Sequence, residues 1–237
     1  MIYRIADFNI DIIYSYENND IFLEKYLAKE QSNPDFTVKV SEEDIDYELN
    51  NAVDVQKTLR YSRGYLERLA ILRKVAANIL MRGGFLMHGV AFEYEGKGYI
   101  FTAKSGVGKT THAKLWQEYF GADKVEIING DKPLIRKIDG KFYAYGTPWC
   151  GKEGYSTNSR MEICNICFIT RSEENSIVKL EEEEALARLM AQVMILDSTD
   201  LATQFDLIGS VVESIPIYKL ACNKSHGAVK VAYEGMK

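Results

Sequence analysis

The 237-residue chain has only four cysteines, Cys150, Cys164, Cys167 and Cys222. That number in a chain of this size does not suggest a disulfide framework, and no export signal accompanies it, so the cytoplasm is the expected compartment. The opening MIYRIADFNIDIIY carries acids inside its apolar stretch and lacks a small-residue cleavage site. It reads as a strand rather than a signal peptide. No run of about 18 consecutive apolar residues occurs, so no membrane-spanning helix is expected. An excess of basic residues is missing too. The net charge is −5, a poor match for nucleic acid or an anionic membrane, and neither is expected as a partner. Internal repeats and low-complexity linkers are absent.

Core material is plentiful. Hydrophobic residues make up 46% of the chain, enough for a sizeable core, and the length suits one large domain or two small ones. Residues 1–58 read as a β-rich, acidic segment, with IADFNIDIIY and FTVKV alternating like half-buried strands. Residues 59–237 read as one α/β domain with a mixed sheet. It opens with a helix over 59–82, in which Leu66, Leu69, Leu72, Val75, Ala76, Ile79 and Leu80 recur at helical spacing before Gly83-Gly84 stops it. FLMHGVAFEY and GKGYIFTA read as two strands about a Glu95-Gly96 turn, and a helix runs from Lys109 to near Phe120. KVEIIN is a short strand, PLIRKIDGKFYAYG a hairpin turning at Asp139-Gly140, and MEICNICFIT another strand. Helices at 181–196 and 199–214, the strand IPIYKLA and a last helix at 226–236 complete the chain.

One stretch carries chemistry: YIFTAKSGVGKTTHAKLW, residues 99–116. An apolar strand meets a glycine-rich loop that opens a helix. A phosphate-binding loop turns backbone N–H groups inward, and glycine permits that shape. The following helix aims its own N-terminal N–H groups at the anion. Ser105, Gly106, Val107, Gly108, Lys109, Thr110 and Thr111 supply the inner positions. Lys109 would reach the β/γ-phosphates, and the Thr110 hydroxyl would sit on Mg²⁺. Residues 102–114 hold three lysines and no acid. The first glycine of the pattern is replaced by Ala103. That position directly follows a strand, so a negative φ and a tolerated side chain are expected there.

The flanks narrow the reading. His88-Gly89 lies 21 residues before the loop lysine, and Asp131 lies 22 residues after it, past an apolar strand. Taken alone, His88 among Phe85, Leu86, Met87, Val90 and Phe92 suits a satisfied core histidine. Asn129-Gly130-Asp131 has a hairpin turn as its alternative reading. Together with the loop, these residues resemble the C-terminal catalytic domain of HPr kinase/phosphorylase and its relatives. Those proteins share a nucleotide-binding core with ATP-dependent phosphoenolpyruvate carboxykinases. The resemblance covers residues 83–135 well, extends loosely to about 170, and does not reach residues 1–58. In that family a His-Gly precedes the loop, and a paired Asp-Asp ends the next strand.

The resemblance implies an α/β fold of that P-loop type and an ATP- and Mg²⁺-dependent kinase. Lys109 and Thr110 fall on the phosphate lysine and the metal-binding hydroxyl, His88 on an active-site histidine, and Asp131 on the aspartate that serves as general base. Gly130 replaces the first aspartate, so metal coordination would be weaker or supplied elsewhere. Glu153, the only acid in GTPWCGKEGYSTNSR, is the candidate for that role. Lys152 and Arg160 of the same loop are candidates for neutralising phosphate. The acceptor would be a hydroxyl, on a protein or peptide serine or threonine or on a small molecule. A nucleotide-binding accessory or switch protein without transfer activity is the alternative from a different class, and homo-oligomerisation stays open.

Other features have plainer readings. On a strand, Cys164 and Cys167 point to opposite faces, which does not suit a zinc site. Glu181–Glu184 reads as a solvated helix start, with acids suiting the helix dipole. His112 is expected to pack or face solvent, and Trp149 to cover a ligand or join the core.

Overall fold

The structure, a computed structural model, describes residues 1–28, 33–51, 61–194 and 201–237. It divides into two compact units, Met1–Arg82 and Gly83–Lys237. The boundary expected at 58/59 lies outside the described residues, as do the expected starts at 59 and 199 and the expected helix end at 196.

In the first unit, β1 (Ile2–Ile5) pairs antiparallel with β2 (Phe8–Ile13), and β2 pairs parallel with β3 (Phe36–Lys39). Helices α1 (Asn18–Leu23), α2 (Glu42–Asn50) and α3 (Arg63–Leu80) complete it. The segment is therefore less β-rich than expected, because α2 stands where no helix was read. Its start is a capping box: Ser41 and Asp44 satisfy each other's backbone N–H groups. Glu67 on α3 is fully buried. It accepts from Ser15 N (2.7 Å), Tyr16 N (3.0 Å) and Asn19 Nδ2 (2.6 Å), which answers the desolvation of its carboxylate.

The second unit is built on a mixed sheet of nine strands: β4 (Gly84–Leu86), β5 (Val90–Tyr94), β6 (Lys97–Thr102), β7 (Val125–Asn129), β8 (Leu134–Ile138), β9 (Lys141–Tyr145), β10 (Arg160–Arg171), β11 (Ser176–Lys179) and β12 (Ile217–Cys222). The order is β4-β8-β9-β10-β6-β5-β7, with β12 on the other side of β10 and β11 beyond it. The long β10 serves both halves. Its first residues pair antiparallel with β9, and its later ones pair parallel with β6 and β12. Both expected hairpins form. Glu95 and Gly96, and likewise Asp139 and Gly140, all have positive φ, as a two-residue turn between twisted strands requires.

The sheet has helices on both faces. Tyr99, Phe101 and Ala103 point to one side and join Phe92, Trp116, Ala113 and Val229, so that α4 (Lys109–Phe120) and α7 (His226–Gly235) cover that face. Ile100, Ile166 and Phe168 join Leu189, Ile208 and Val211 on the other, under α5 (Glu182–Met190) and α6 (Leu201–Ser214). Burial on two sides explains why YIFTA is apolar throughout rather than alternating.

One strand reading is corrected. FLMHGVAFEY is not one strand. Residues 84–86 pair with β8 and residues 90–94 pair with β6 and β7, and His88-Gly89 links the two. KVEIIN, as β7, is separated from the strand before the loop by β5, which lies between β6 and β7 and is antiparallel to both. The C-terminal ends of β6, β7, β10 and β12 and the N-terminal end of β5 therefore share one edge. That edge is where open α/β sheets place ligands.

Candidate phosphate-transfer site

The loop leaves β6 at Ala103 and enters α4 at Lys109. Gly106 (φ +78°) and Gly108 (φ +128°) take backbone conformations that side chains disfavour, so these two glycines are required by the loop's shape. Ala103 is not among the described non-glycine residues with positive φ, in agreement with the tolerated side chain. Lys104, Ser105, Gly106 and Thr111 are exposed, Val107, Gly108 and Thr110 are half-buried, and Lys109 is buried. Arg171, at the end of β10, braces the loop from outside: Nε donates to Val107 O at 3.1 Å, and a terminal nitrogen donates to Gly106 O.

Lys109 folds back over the loop. Its Nζ donates to Ala103 O at 3.2 Å and lies 3.0 Å from His88 Nε2. Burial lowers its pKa. Asp131 works against that shift, and Lys132 adds to it. His88 Nε2 is also 3.4 Å from Asp131 Oδ1, and Asp131 Oδ2 is 3.2 Å from Lys132 Nζ. The result is a row: Lys109, His88, Asp131, Lys132. A single Nε2 can accept from Lys109 or donate to Asp131, but not both at once. Burial pushes the Asp131 carboxyl up, yet the hydrogen bond to His88 and the charge of Lys132 outweigh it and hold the pKa at about 2.

The backbone holds this row from both sides. His88 N donates to Gln192 O (2.8 Å), Gly89 N donates to Asp131 O (2.8 Å), and Thr102 Oγ1 donates to His88 O (2.7 Å). Across from it, the fully buried Asn129 accepts through Oδ1 from Asp131 N (2.9 Å) and Lys132 N (2.7 Å). Its Nδ2 donates to Thr147 O at 3.1 Å. Asn129-Gly130-Asp131 is thus a side-chain-closed turn and not a hairpin, since β7 and β8 do not pair. His88 is not a core histidine; its side chain is 30% exposed and faces the row.

The loop GTPWCGKEGYST lies against the same turn. Gly130 N donates to Tyr155 O (2.9 Å) and Thr157 N to Ile128 O (3.1 Å). A Cβ on Gly130 would stand 2.7 Å from Cys150 O. A side chain at position 130, an aspartate included, would meet that carbonyl. Glu153 is exposed and paired with Lys114 at 3.0 Å, outside the row. Lys152 is exposed. Arg160 Nη1 donates to Tyr145 OH (2.9 Å), which ties it to the β8–β9 hairpin. Trp149 is buried. Among the described residues no three His, Cys, Asp or Glu side chains gather as a metal cage. The hydroxyl of Thr110 and the carboxylate of Asp131 are hard oxygen donors. Mg²⁺ characteristically takes one or two such protein ligands together with phosphate oxygens.

Two concavities flank the loop. One, about 530 Å³, is lined by Lys104, Ser105, Gly106, Arg171, Arg188 and Gln192 among others. The other, about 210 Å³, lies beside α4 among Val107, Thr111, His112, Leu115, Cys222 and Lys224. His112 packs rather than facing solvent. Its Nε2 accepts from Trp116 Nε1 at 3.1 Å, its Nδ1 has no partner, and burial lowers its pKa to about 4.

Sequence reasoning missed Asn129, Lys132, Thr102, Gln192 and Arg171. An asparagine closing an apolar strand before Gly-Asp is an Asx-turn signal and was legible. Gln192 and Arg171 reach the site from distant chain segments, and no local pattern marks them.

No protein-family model and no curated protein matches the chain. Among solved structures it is similar to the Hpr(Ser) kinase/phosphatase from Coxiella burnetii. That likeness has a TM-score of 0.37 and 8% identity, and it covers 64% of this chain and 92% of the other. Among the described residues no helix is long and apolar enough to cross a membrane.

Proposed function

We propose that the protein is an ATP- and Mg²⁺-dependent kinase of the HPr kinase-like type. It transfers the γ-phosphoryl group to a hydroxyl, with serine or threonine of a protein or peptide the favoured acceptor and a small-molecule hydroxyl the other. One observation carries the reading. The loop lysine, His88 and Asp131 stand in a contiguous row at the ligand-bearing edge of the sheet, although they are far apart in sequence. Phosphoryl transfer asks for charge neutralisation, positioning and a group that takes the acceptor's proton. Lys109 supplies the first once its ammonium leaves Ala103 O for a phosphate oxygen. His88 Nε2 is then free of Lys109 and, in its Nε2–H tautomer, donates to Asp131, which fixes the carboxylate. Asp131 is the proton acceptor.

Thr110 and Asp131 would hold Mg²⁺, which would neutralise the β- and γ-oxygens. The cavity beside Thr111 and Leu115 is the natural place for the nucleoside, because it begins where the phosphate loop ends. The carboxylate lost at Gly130 favours the second reading, a nucleotide-binding switch that transfers nothing. Calorimetry of ATP with Mg²⁺, followed by transfer from labelled ATP into a cell extract, separates the two. A kinase labels an extract component and Asp131→Asn does not; a switch binds ATP and labels nothing in either form. Absence of Lys109-dependent ATP binding refutes both.

A further inference from the structure

Lys132 has no part in the reading above, yet it is among the most firmly held residues at the site. Its N–H donates to Asn129 Oδ1 at 2.7 Å, and its carbonyl accepts from Thr147 Oγ1 at 2.8 Å. Pro133 follows and restricts its backbone further. The peptide is fixed, while the side chain stays 35% exposed and within reach of a ligand.

The row is asymmetric about Asp131. Oδ1 faces His88 and, through it, the phosphate lysine; Oδ2 faces Lys132. One carboxylate oxygen is thus engaged by the imidazole that also contacts the loop lysine, and the other by Lys132. An acceptor hydroxyl must reach an Asp131 oxygen, and with Oδ1 kept on His88 in the reading above, Oδ2 is the one left for it. That oxygen is occupied by an ammonium group, so an acceptor must displace Lys132 Nζ to bind. Displacing a cation from a partly buried carboxylate is favourable only if the cation is given another anion. Among the described residues Lys132 forms an ion pair with Asp131 alone. Gly130 cannot carry a carboxylate because Cys150 O lies 2.7 Å from where its Cβ would be.

We propose that Lys132 docks the phosphate acceptor, and that the acceptor carries an anionic group, a carboxylate or a phosphate, beside the hydroxyl it presents. This rests on the kinase reading above. The anion draws Lys132 Nζ off Oδ2, and the hydroxyl takes its place. The hydroxyl proton passes to Asp131 Oδ2 as the acceptor oxygen bonds to the γ-phosphorus of ATP. The bond from that phosphorus to the β,γ-bridging oxygen breaks, and ADP leaves with the electron pair. Lys132 is a positioning residue here, because its partner is the acceptor's anion and not the reacting oxygen.

The test uses the whole chain with labelled ATP and Mg²⁺ on matched acceptors. Glycerate and glycerol 3-phosphate are set against glycerol. Serine peptides with Asp or Glu beside the serine are set against the same peptides with Asn or Gln. The expected result is transfer to anionic members at least about 10-fold above their neutral counterparts, the scale of one charge-assisted hydrogen bond. Glycerate against glycerol 3-phosphate, with the peptides, decides between carboxylate and phosphate. Lys132→Gln lowers kcat/KM for the preferred acceptor by about 10- to 100-fold and abolishes the preference, with a much smaller change in ATP affinity. Lys132→Arg restores the preference. Equal transfer to neutral and anionic members, a preference that survives Lys132→Gln, or no transfer to any anionic member by ATP-bound protein overturns the proposal. Failure of the wild-type chain to bind ATP overturns the kinase reading instead. The acceptor preference is read on the wild type, so a Lys132 variant that does not fold leaves the test decisive.

Discussion

Adding a single methyl group at Gly130 tests why this chain has no carboxylate beside Asp131. The ideal Cβ would lie 2.7 Å from Cys150 O, 3.4 Å from Tyr155 Cβ and 3.5 Å from Tyr155 O. Two of those atoms are backbone, so no rotamer change relieves the contact. Overpacking of this kind costs about 1–3 kcal/mol. If the loop lifts away instead, it gives up the Gly130 N–Tyr155 O and Thr157 N–Ile128 O hydrogen bonds, about 1 kcal/mol each. Both routes meet near ~2 kcal/mol, which lowers the thermal midpoint of a chain this size by roughly 4–8 °C. Gly130→Asp carries the same Cβ and a charge besides, so it should destabilise the chain at least as much. Gly209 in α6 is the control. Nothing lies within 4 Å of its Cβ position. Gly209→Ala should therefore stabilise by about 0.5–1 kcal/mol through helix propensity alone. The assay is thermal and urea unfolding of both variants beside the wild type. A Gly130→Ala midpoint at or above wild type, with Gly209→Ala behaving as stated, refutes the steric account of the missing carboxylate.

On the kinase reading, Lys109→Ala removes the ammonium proposed to meet the β/γ-phosphates, and ATP affinity should fall by about 10- to 100-fold in calorimetry, the worth of one charged hydrogen bond. Asp131 contributes to stability at neutral pH because its folded pKa, about 2, is depressed below the unfolded value. The contribution, of order 2 kcal/mol, is complete above about pH 4 and disappears as pH falls toward 2, so Asp131→Asn should narrow its deficit over that window in acid unfolding curves. His112 has the opposite kind of group and the same direction of loss. Burial depresses its pKa to about 4, the unfolded chain takes up the proton first, and stability falls as pH drops from about 6.5 to 4. His112→Phe should flatten that part of the stability–pH curve while lowering it uniformly, because Trp116 Nε1 loses its acceptor.

The parts of this fold that local pattern decides were legible. Asp139-Gly140 and Glu95-Gly96 announce hairpins because positive φ is a property of the turn residues themselves. YIFTA announces a strand buried on both faces, and α4 follows from the loop glycines. The α2 helix was missed although its signal was local: Ser41 and Asp44 form a capping box at the S-x-x-D spacing, and acids fill the first turn. The break in FLMHGVAFEY was not legible. It depends on Gln192 O and Asp131 O claiming the N–H groups of His88 and Gly89, and neither acceptor is near in sequence. The insertion of β5 between β6 and β7 is likewise a matter of pairing, on which hydrophobic period is silent.

The site divides along the same line. Ser105–Thr111 are contiguous, so their place in one loop between β6 and α4 could be read from spacing alone. His88 and Asp131 could be placed at the right edge of the sheet, but their joining could not, since each reads equally well as a core histidine or a turn aspartate. What brings them together is Asn129. With its side chain buried and bonded to the N–H groups of residues 131 and 132, it turns the chain so that Asp131 faces His88 and Lys132 stands behind it. An asparagine there does what a second aspartate at 130 could not, because residue 130 is enclosed by Cys150 and Tyr155. The departure from the resembled pattern at Gly130 and the cation at Lys132 are therefore linked. A turn closed against the 147–157 loop has no room for a second acid, and the lone carboxylate that remains is held by His88 on one side and Lys132 on the other.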